Sequence, residues 1–237
     1  MHVVSVMAHQ DDELMCLGTM IKMKKLGNSL AFICLTDGSM GMVQCPDMTR
    51  DEAAQVRKRE MSNLATQLEA SYICLGLPDE FLFDGPEVRI ALIDALRKVH
   101  ADLVFTHFSS DYNLDHMTTC SLVRQCAMQM PLPMIKTGSP PTETTPAVFL
   151  VEPSGGFEFE PTHWVDITNE IDEKMRLAQC HQSQDDAFIA AFGPECGLAN
   201  WIKDAAAKRG RQCAIPYAEA FRPMLSRGLV KPYALLP

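Results

Sequence analysis

A histidine, two aspartates and a glutamate crowd into His9-Gln10-Asp11-Asp12-Glu13. Carboxylates packed this tightly repel one another unless a cation or strong hydrogen bonds offset their charge, and a divalent metal ion does so compactly. A second stretch, His107-Phe108-Ser109-Ser110-Asp111-Tyr112-Asn113-Leu114-Asp115-His116, supplies two further imidazoles and more acids. From these the stretches can bring together two imidazoles and a carboxylate, the three-protein-ligand pattern of catalytic zinc, which leaves a fourth position for water. Closed structural zinc sites use four ligands with cysteine prominent, and neither stretch contains cysteine, so an open site is expected. Simpler readings compete. Asp11 or Asp12 can cap a following helix, whose first turn favours acids, and His107 or His116 can be a core histidine bonded to a carbonyl.

For these groups to meet, the elements between them must return both stretches to one place. His2 to Ala8 is an apolar, valine-rich run too short for a helix, and beyond the acids Leu14, Leu17, Met20, Ile21 and Met23 recur at helical spacing until Gly27. Ser29 to Leu35 reads as a buried strand closed by the turn-forming Thr36-Asp37-Gly38-Ser39. Strand, helix and strand in so short a span form a right-handed parallel crossover. The alternation continues with a helix from about Asp51 to Glu69, a strand at Tyr72 to Leu75, a helix from about Glu87 to Val99, a strand at Leu103 to Thr106 and a helix from about Thr118 to Met130. This predicts the α/β class, with a doubly wound, mostly parallel sheet and helices on both faces. In such sheets ligands bind beyond the carboxyl ends of the strands, so the loops opening at His9, Asp37, Leu77 and His107 should share one rim.

Residues 131–146 contain five prolines and read as an irregular segment, either an ordered loop or a flap. Beyond them come a strand at Ala147 to Val151, a turn at Gly155-Gly156, a helix from about Asn169 to Gln179 and another near Leu198 to Lys208. The whole chain, 1–237, is read as a single domain.

Composition narrows the class of partner. A formal net charge of −9 argues against gripping nucleic acid or an anionic membrane, both of which require a basic surface, and favours a small-molecule substrate. The N-terminal apolar run gives way to acids by Asp11, unlike a secretory signal, and no apolar run is long enough to span a bilayer. Nine cysteines, an odd count, fall largely in strand-like runs such as Phe32-Ile33-Cys34-Leu35 and read as buried hydrophobes in a reducing cytoplasm. A homo-oligomer is compatible with all of this.

The sequence resembles the LmbE-like or PIG-L-type deacetylases, whose first motif, Ala-His-Pro-Asp-Asp-Glu, is matched by Ala8 through Glu13, and whose second, approximately His-x-x-x-Asp-x-x-x-Asp-His, is matched by His107 through His116. Weaker likenesses follow in order: Thr36-Asp37-Gly38, Arg57 with Glu60, Leu75-Gly76-Leu77-Pro78-Asp79, Val165-Asp166-Ile167-Thr168, Cys180-His181-Gln182-Ser183-Gln184 and Ala218-Glu219-Ala220-Phe221-Arg222. The resemblance implies a Rossmann-like metal hydrolase that removes acetyl groups from N-acetylglucosaminyl compounds. It implies His9, Asp12 and His116 as metal ligands, with Zn2+ as the metal or Fe2+ or another divalent ion in its place, and Asp11 as general base. The chemistry agrees, because coordination lowers the pKa of water from about 15.7 to roughly 7 while the ion polarises the amide carbonyl. Asp11, beside a ligand but not needed as one, can take the water proton and deliver it to the leaving amine.

Two departures matter. Gln10 stands where the family has proline, which should loosen the loop, and Asn113-Leu114 stands where many members have His-Pro, which removes an imidazole from the oxyanion or leaving group. His181 is the candidate to assist in its place, with a role at a helix terminus as its alternative. Asp111 and Asp115 are placed to orient the histidines. Arg57, Asp37 and Asn113 are substrate-binding candidates, against a solvated Arg57–Glu60 pair and a simple turn at Asp37. Two other functions stay open: a non-haem iron oxygenase, which uses the same two-histidine, one-carboxylate set, and a metal-binding module of the same fold without turnover.

Overall fold

The computed structural model of the chain describes residues 1–229. Strand β1 (His2–Met7) is buried from Val3 onward and pairs in parallel with β2 (Ser29–Thr36) on one side and β4 (Leu103–Thr106) on the other. β3 (Ser71–Leu77) adds in parallel to β2, and β5 (Ala147–Val151) to β4. β6 (His163–Asp166) and β7 (Ala218–Pro223) close the sheet antiparallel, giving the order β3-β2-β1-β4-β5-β7-β6. This is the Rossmann-like, mostly parallel α/β sheet that the alternation predicts.

Along β1 the side chains alternate between two cores, Val4 and Val6 on one face and Val3 and Met7 on the other. The first core is completed by helices α3 (Pro86–Lys98) and α4 (Leu114–Gln129). The second is completed by α1 (Leu17–Lys25), α2 (Arg50–Gln67), α5 (Ile171–Ala178) and α7 (Leu198–Gln212). Between α5 and α7 lies α6 (Gln182–Phe192), which, with β6 and β7, sequence periodicity does not reveal. β6 alternates half-buried and exposed side chains over only four residues, and β7 buries Glu219 within a run where an apolar residue is the norm.

Glu219 explains why a charge lies in a strand. Its carboxylate accepts the backbone N–H groups of Gly18 (2.8 Å) and Thr19 (2.7 Å) at the start of α1 and pairs with Lys174 Nζ at 2.7 Å. An acid there satisfies orphan helix donors and the helix dipole together. Through it the C-terminal strands fix the helix that follows the acidic loop.

The proline-rich segment is ordered rather than a free flap. Arg97 of α3, 1% exposed, donates to the carbonyls of Met130 (2.9 Å), Leu132 (2.8 Å) and Ile135 (2.9 Å) and to Thr137 Oγ1 (2.8 Å). Asp94 accepts the N–H of Ser139 at 2.7 Å.

Candidate metal centre

The acidic loop leaves β1 at Ala8 and runs into a short 3-10 turn at Asp12–Met15. The second stretch leaves β4 at His107 and enters α4, which begins at Leu114, earlier than the periodicity predicts. The reason is Asn113, whose side-chain oxygen caps the helix by accepting from Asp115 N (2.7 Å) and His116 N (3.3 Å). His116 therefore stands on the first turn of a capped helix rather than on a loop.

These elements bring His9, Asp12 and His116 together. His9 Nδ1 lies 3.2 Å from Asp12 Oδ2, His116 Nε2 lies 3.3 Å from Asp12 Oδ1, and the two ring nitrogens are 3.2 Å apart. The far nitrogen of each imidazole faces a carboxylate, His9 Nε2 at 3.0 Å from Asp79 and His116 Nδ1 at 3.1 Å from Asp111. A ring oriented in this way turns its basic nitrogen toward the gap it shares with Asp12. Two imidazoles and a carboxylate, each backed by an acid or a backbone donor, fit a divalent cation of the zinc or iron type. Asp115 lies 3.6 Å from His9 and spends its carboxylate on the N–H groups of Glu80 (2.8 Å) and Leu82 (3.1 Å), so it ties the third rim loop to α4.

His107 stacks on His116, with ring centroids 3.9 Å apart. Its Nε2 accepts the Ala8 N–H at 3.0 Å and lies 3.3 Å from Asp12. Burial, reinforced by neighbouring His116, pulls His107 down to about 4, so it is neutral at physiological pH. Burial would also lower His116, but Asp12 and Asp111 raise it to about 9. Asp12 is likewise penalised by burial, yet His116 and His107 hold it well below the usual carboxylate range.

Asp11 stays outside the three-residue cluster. Its backbone is left-handed, at φ 118°, and its Oδ1 accepts from Arg57 Nη2 at 2.8 Å. Burial raises the Asp11 carboxyl, with Arg57 opposing and Asp12 reinforcing the rise. Arg57 is 2% exposed and does not pair with Glu60, which instead accepts from Ser183 N and Oγ. It also donates to the carbonyl of Gln10, and the residue lines the cavity, while its buried Nε and Nη1 have no protein partner among the described residues.

Gln10 corrects one expectation. Its side chain is fully buried and its Nε2 donates to Thr36 O (3.2 Å) and Tyr72 Oη (3.4 Å), so it tethers the loop that a lost proline was expected to loosen. A Cβ at Gly38, where φ is +67°, would collide with this side chain, which explains the glycine there. Asp37 accepts the Ser39 N–H at 2.9 Å and does not line the cavity. His181 is buried beneath the rim, 2.7 Å from Glu13, and does not line the cavity either.

The cavity over this cluster holds about 200 Å³. All four predicted rim loops contribute to it, through His9, Gly38, Asp79 and His107, while Glu152, Phe188 and Trp201 form a wall from the C-terminal half. Sequence reasoning missed Asp79 as the partner of His9, although the Leu-Pro-Asp segment on the third rim loop marked it, and Tyr112, which meets His116 edge-on at 5.6 Å. For the Phe188 and Trp201 wall no sequence signal existed. Among the described residues no helix is long and apolar enough to cross a membrane, and all nine cysteines are free thiols.

Comparison with known proteins places these observations. Residues 4–127 match the family described as PIG-L, GlcNAc-PI de-N-acetylase. The chain is 26% identical over 196 residues to a Bacillus anthracis protein named "Probable N-acetyl-alpha-D-glucosaminyl L-malate deacetylase 2", covering 77% of this chain and 81% of that one. The N,N'-diacetylchitobiose deacetylase of Pyrococcus horikoshii superposes with a TM-score of 0.80 at 26% identity, over 94% of this chain and 83% of the other. GalB, the 4-carboxy-2-hydroxymuconate hydratase of Pseudomonas putida KT2440, superposes at 0.82 over 98% and 99% of the two chains, and at 23% identity this likeness concerns the fold alone.

Proposed function

The chain belongs to the PIG-L, GlcNAc-PI de-N-acetylase family, and on that premise we propose that it hydrolyses an N-acyl group, in the first place N-acetyl, from an amino sugar or amino-sugar conjugate. The named activities of its deacetylase relatives support this reading. The same fold also serves a hydratase, so the activity is set by the site rather than by the architecture. The observation that carries it is the meeting of His9, Asp12 and His116 within 3.3 Å of one another, beside the separate, buried carboxylate of Asp11.

A divalent ion held by His9, Asp12 and His116, zinc in our assignment, supplies a more acidic water and a polarised amide carbonyl. The chain's own residues do the rest. Arg57 holds Oδ1 of Asp11 and leaves Oδ2 to accept a proton from water. The deprotonated water oxygen bonds to the amide carbon, and as the C–N bond breaks Asp11 returns the proton to the departing amine nitrogen, so the products are acetate and a free amino sugar. Asn113 cannot take this role, since it caps α4 and donates to Glu80 Oε1 at 3.1 Å. The two unpartnered donors of Arg57 are suited to a substrate oxygen. Trp201 and Phe188 offer an aromatic wall to the apolar face of a sugar.

Free-amine release from a panel of N-acetylated sugars and conjugates, with and without chelator, tests the proposal. Chelator-sensitive release that continues without oxygen is the expected result. Release that requires oxygen would point to the iron oxygenase, and bound metal without any turnover to a binding module.

A further inference from the structure

His181 touches neither the cavity nor the three-residue cluster, yet it is fully buried and paired. Its Nε2 lies 2.7 Å from Glu13 Oε1, and Glu13 Oε2 accepts the backbone N–H of Asp11 at 2.9 Å. The carbonyl on the other side of that same peptide, Gln10 O, accepts from Arg57. Both polar ends of the Gln10–Asp11 peptide are therefore gripped, and the residue that follows it holds φ 118° and ψ −23°. A non-glycine residue keeps such a conformation only where its surroundings over-determine it. Glu13 is 1% exposed, and its carboxylate is held between His181 on one oxygen and the Asp11 N–H on the other.

His181 is in turn firmly placed. It precedes α6, its N–H donates to Ala178 O at 3.1 Å, and its carbonyl accepts from Gln184 N at 3.0 Å. The next turn is tied to the rim, with Ser183 bonded to Glu60 on the helix that carries Arg57, and Gln184 Nε2 donating to Gly41 O at 3.1 Å.

We infer that His181 is a positioning residue which, through Glu13, locks the backbone of Asp11 so that its carboxylate faces the cluster. The inference rests on the reading of Asp11 as the base. An ordinary buried ion pair would contribute to stability alone. A positioning residue must also set the conformation of Asp11 and the rate.

The test compares the full-length parent with His181→Leu and with His181→Gln, whose amide N–H can still reach Glu13. Three quantities are read: the backbone of Asp11 in crystals, metal content, and kcat and KM for amine release from the best substrate of the panel. His181→Leu should move Asp11 out of the left-handed region and lower kcat about 10²-fold, with KM and metal content little changed. His181→Gln should recover most of the loss. An unmoved Asp11 with kcat within about twofold of the parent, or equal losses in both variants, would overturn the inference. If His181→Leu does not fold, His181→Asn, polar but too short to reach Glu13, repeats the comparison. A parent that releases no amine would sink the assignment of the base, while the backbone of Asp11 in the variant crystals would still decide whether His181 positions it.

Discussion

Arg57 and Arg97 are equally hidden, at 2% and 1% exposure, yet they serve opposite ends of the molecule. Arg97 lies under the proline-rich segment, and each of its three nitrogens finds a protein acceptor, three of the four acceptors being carbonyls of a segment that has no regular ladder of its own. Arg57 lines the cavity and holds Gln10 O and Asp11, but two of its buried nitrogens have no partner among the described residues. A buried cation that is fully satisfied is structural cement. One left partly unsatisfied beside a buried carboxylate and a metal-type cluster is held ready for something that arrives from outside. Burial alone does not distinguish the two, whereas the count of satisfied donors does.

That contrast can be broken by substitution. Arg97→Leu strands the buried carbonyl of Met130 and two partly buried ones and should cost about 3–5 kcal/mol in urea unfolding, while kcat/KM of the folded protein stays near the parent value. Loss of activity without loss of stability there would erase the distinction. Arg57→Gln should lower kcat/KM by about 10²-fold. It should also displace the acidic limb of the pH profile: Arg57 lowers the Asp11 carboxyl, so removing it raises the pH at which Asp11 becomes an effective base. A limb that stays in place or moves to lower pH would show that Arg57 does not act on the base. Asp94→Ala, which removes only the acceptor for Ser139 N, should cost about 1 kcal/mol and leave activity unchanged, as measured by thermal unfolding and amine release.

Much of this was legible in the sequence because it rests on local pattern. Strands β1, β2 and β4 are continuous apolar runs, the helices between them repeat at 3.6 residues, and the carboxyl-end rule then puts His9 and His116 on one rim without any coordinates. Even Arg57 left a trace, since it interrupts the buried stripe of Ala53, Met61 and Leu64 on α2. What escaped depends on long-range satisfaction of polar groups. The purpose of Glu219 is visible only when α1 meets β7, and that of Gln10 only when Thr36 and Tyr72 surround it. His181 could be picked out as unusual, but its partner lies 168 residues away, and neither period nor propensity can pair it with Glu13.

Metal stoichiometry after dialysis, measured in the parent, His116→Ala and Asp11→Asn, probes the central claim most directly. The account predicts about one divalent ion per chain in the parent and in Asp11→Asn, with amine release lost in the latter, and little metal in His116→Ala. Equal metal in the parent and His116→Ala, or loss of metal with Asp11→Asn, would contradict it.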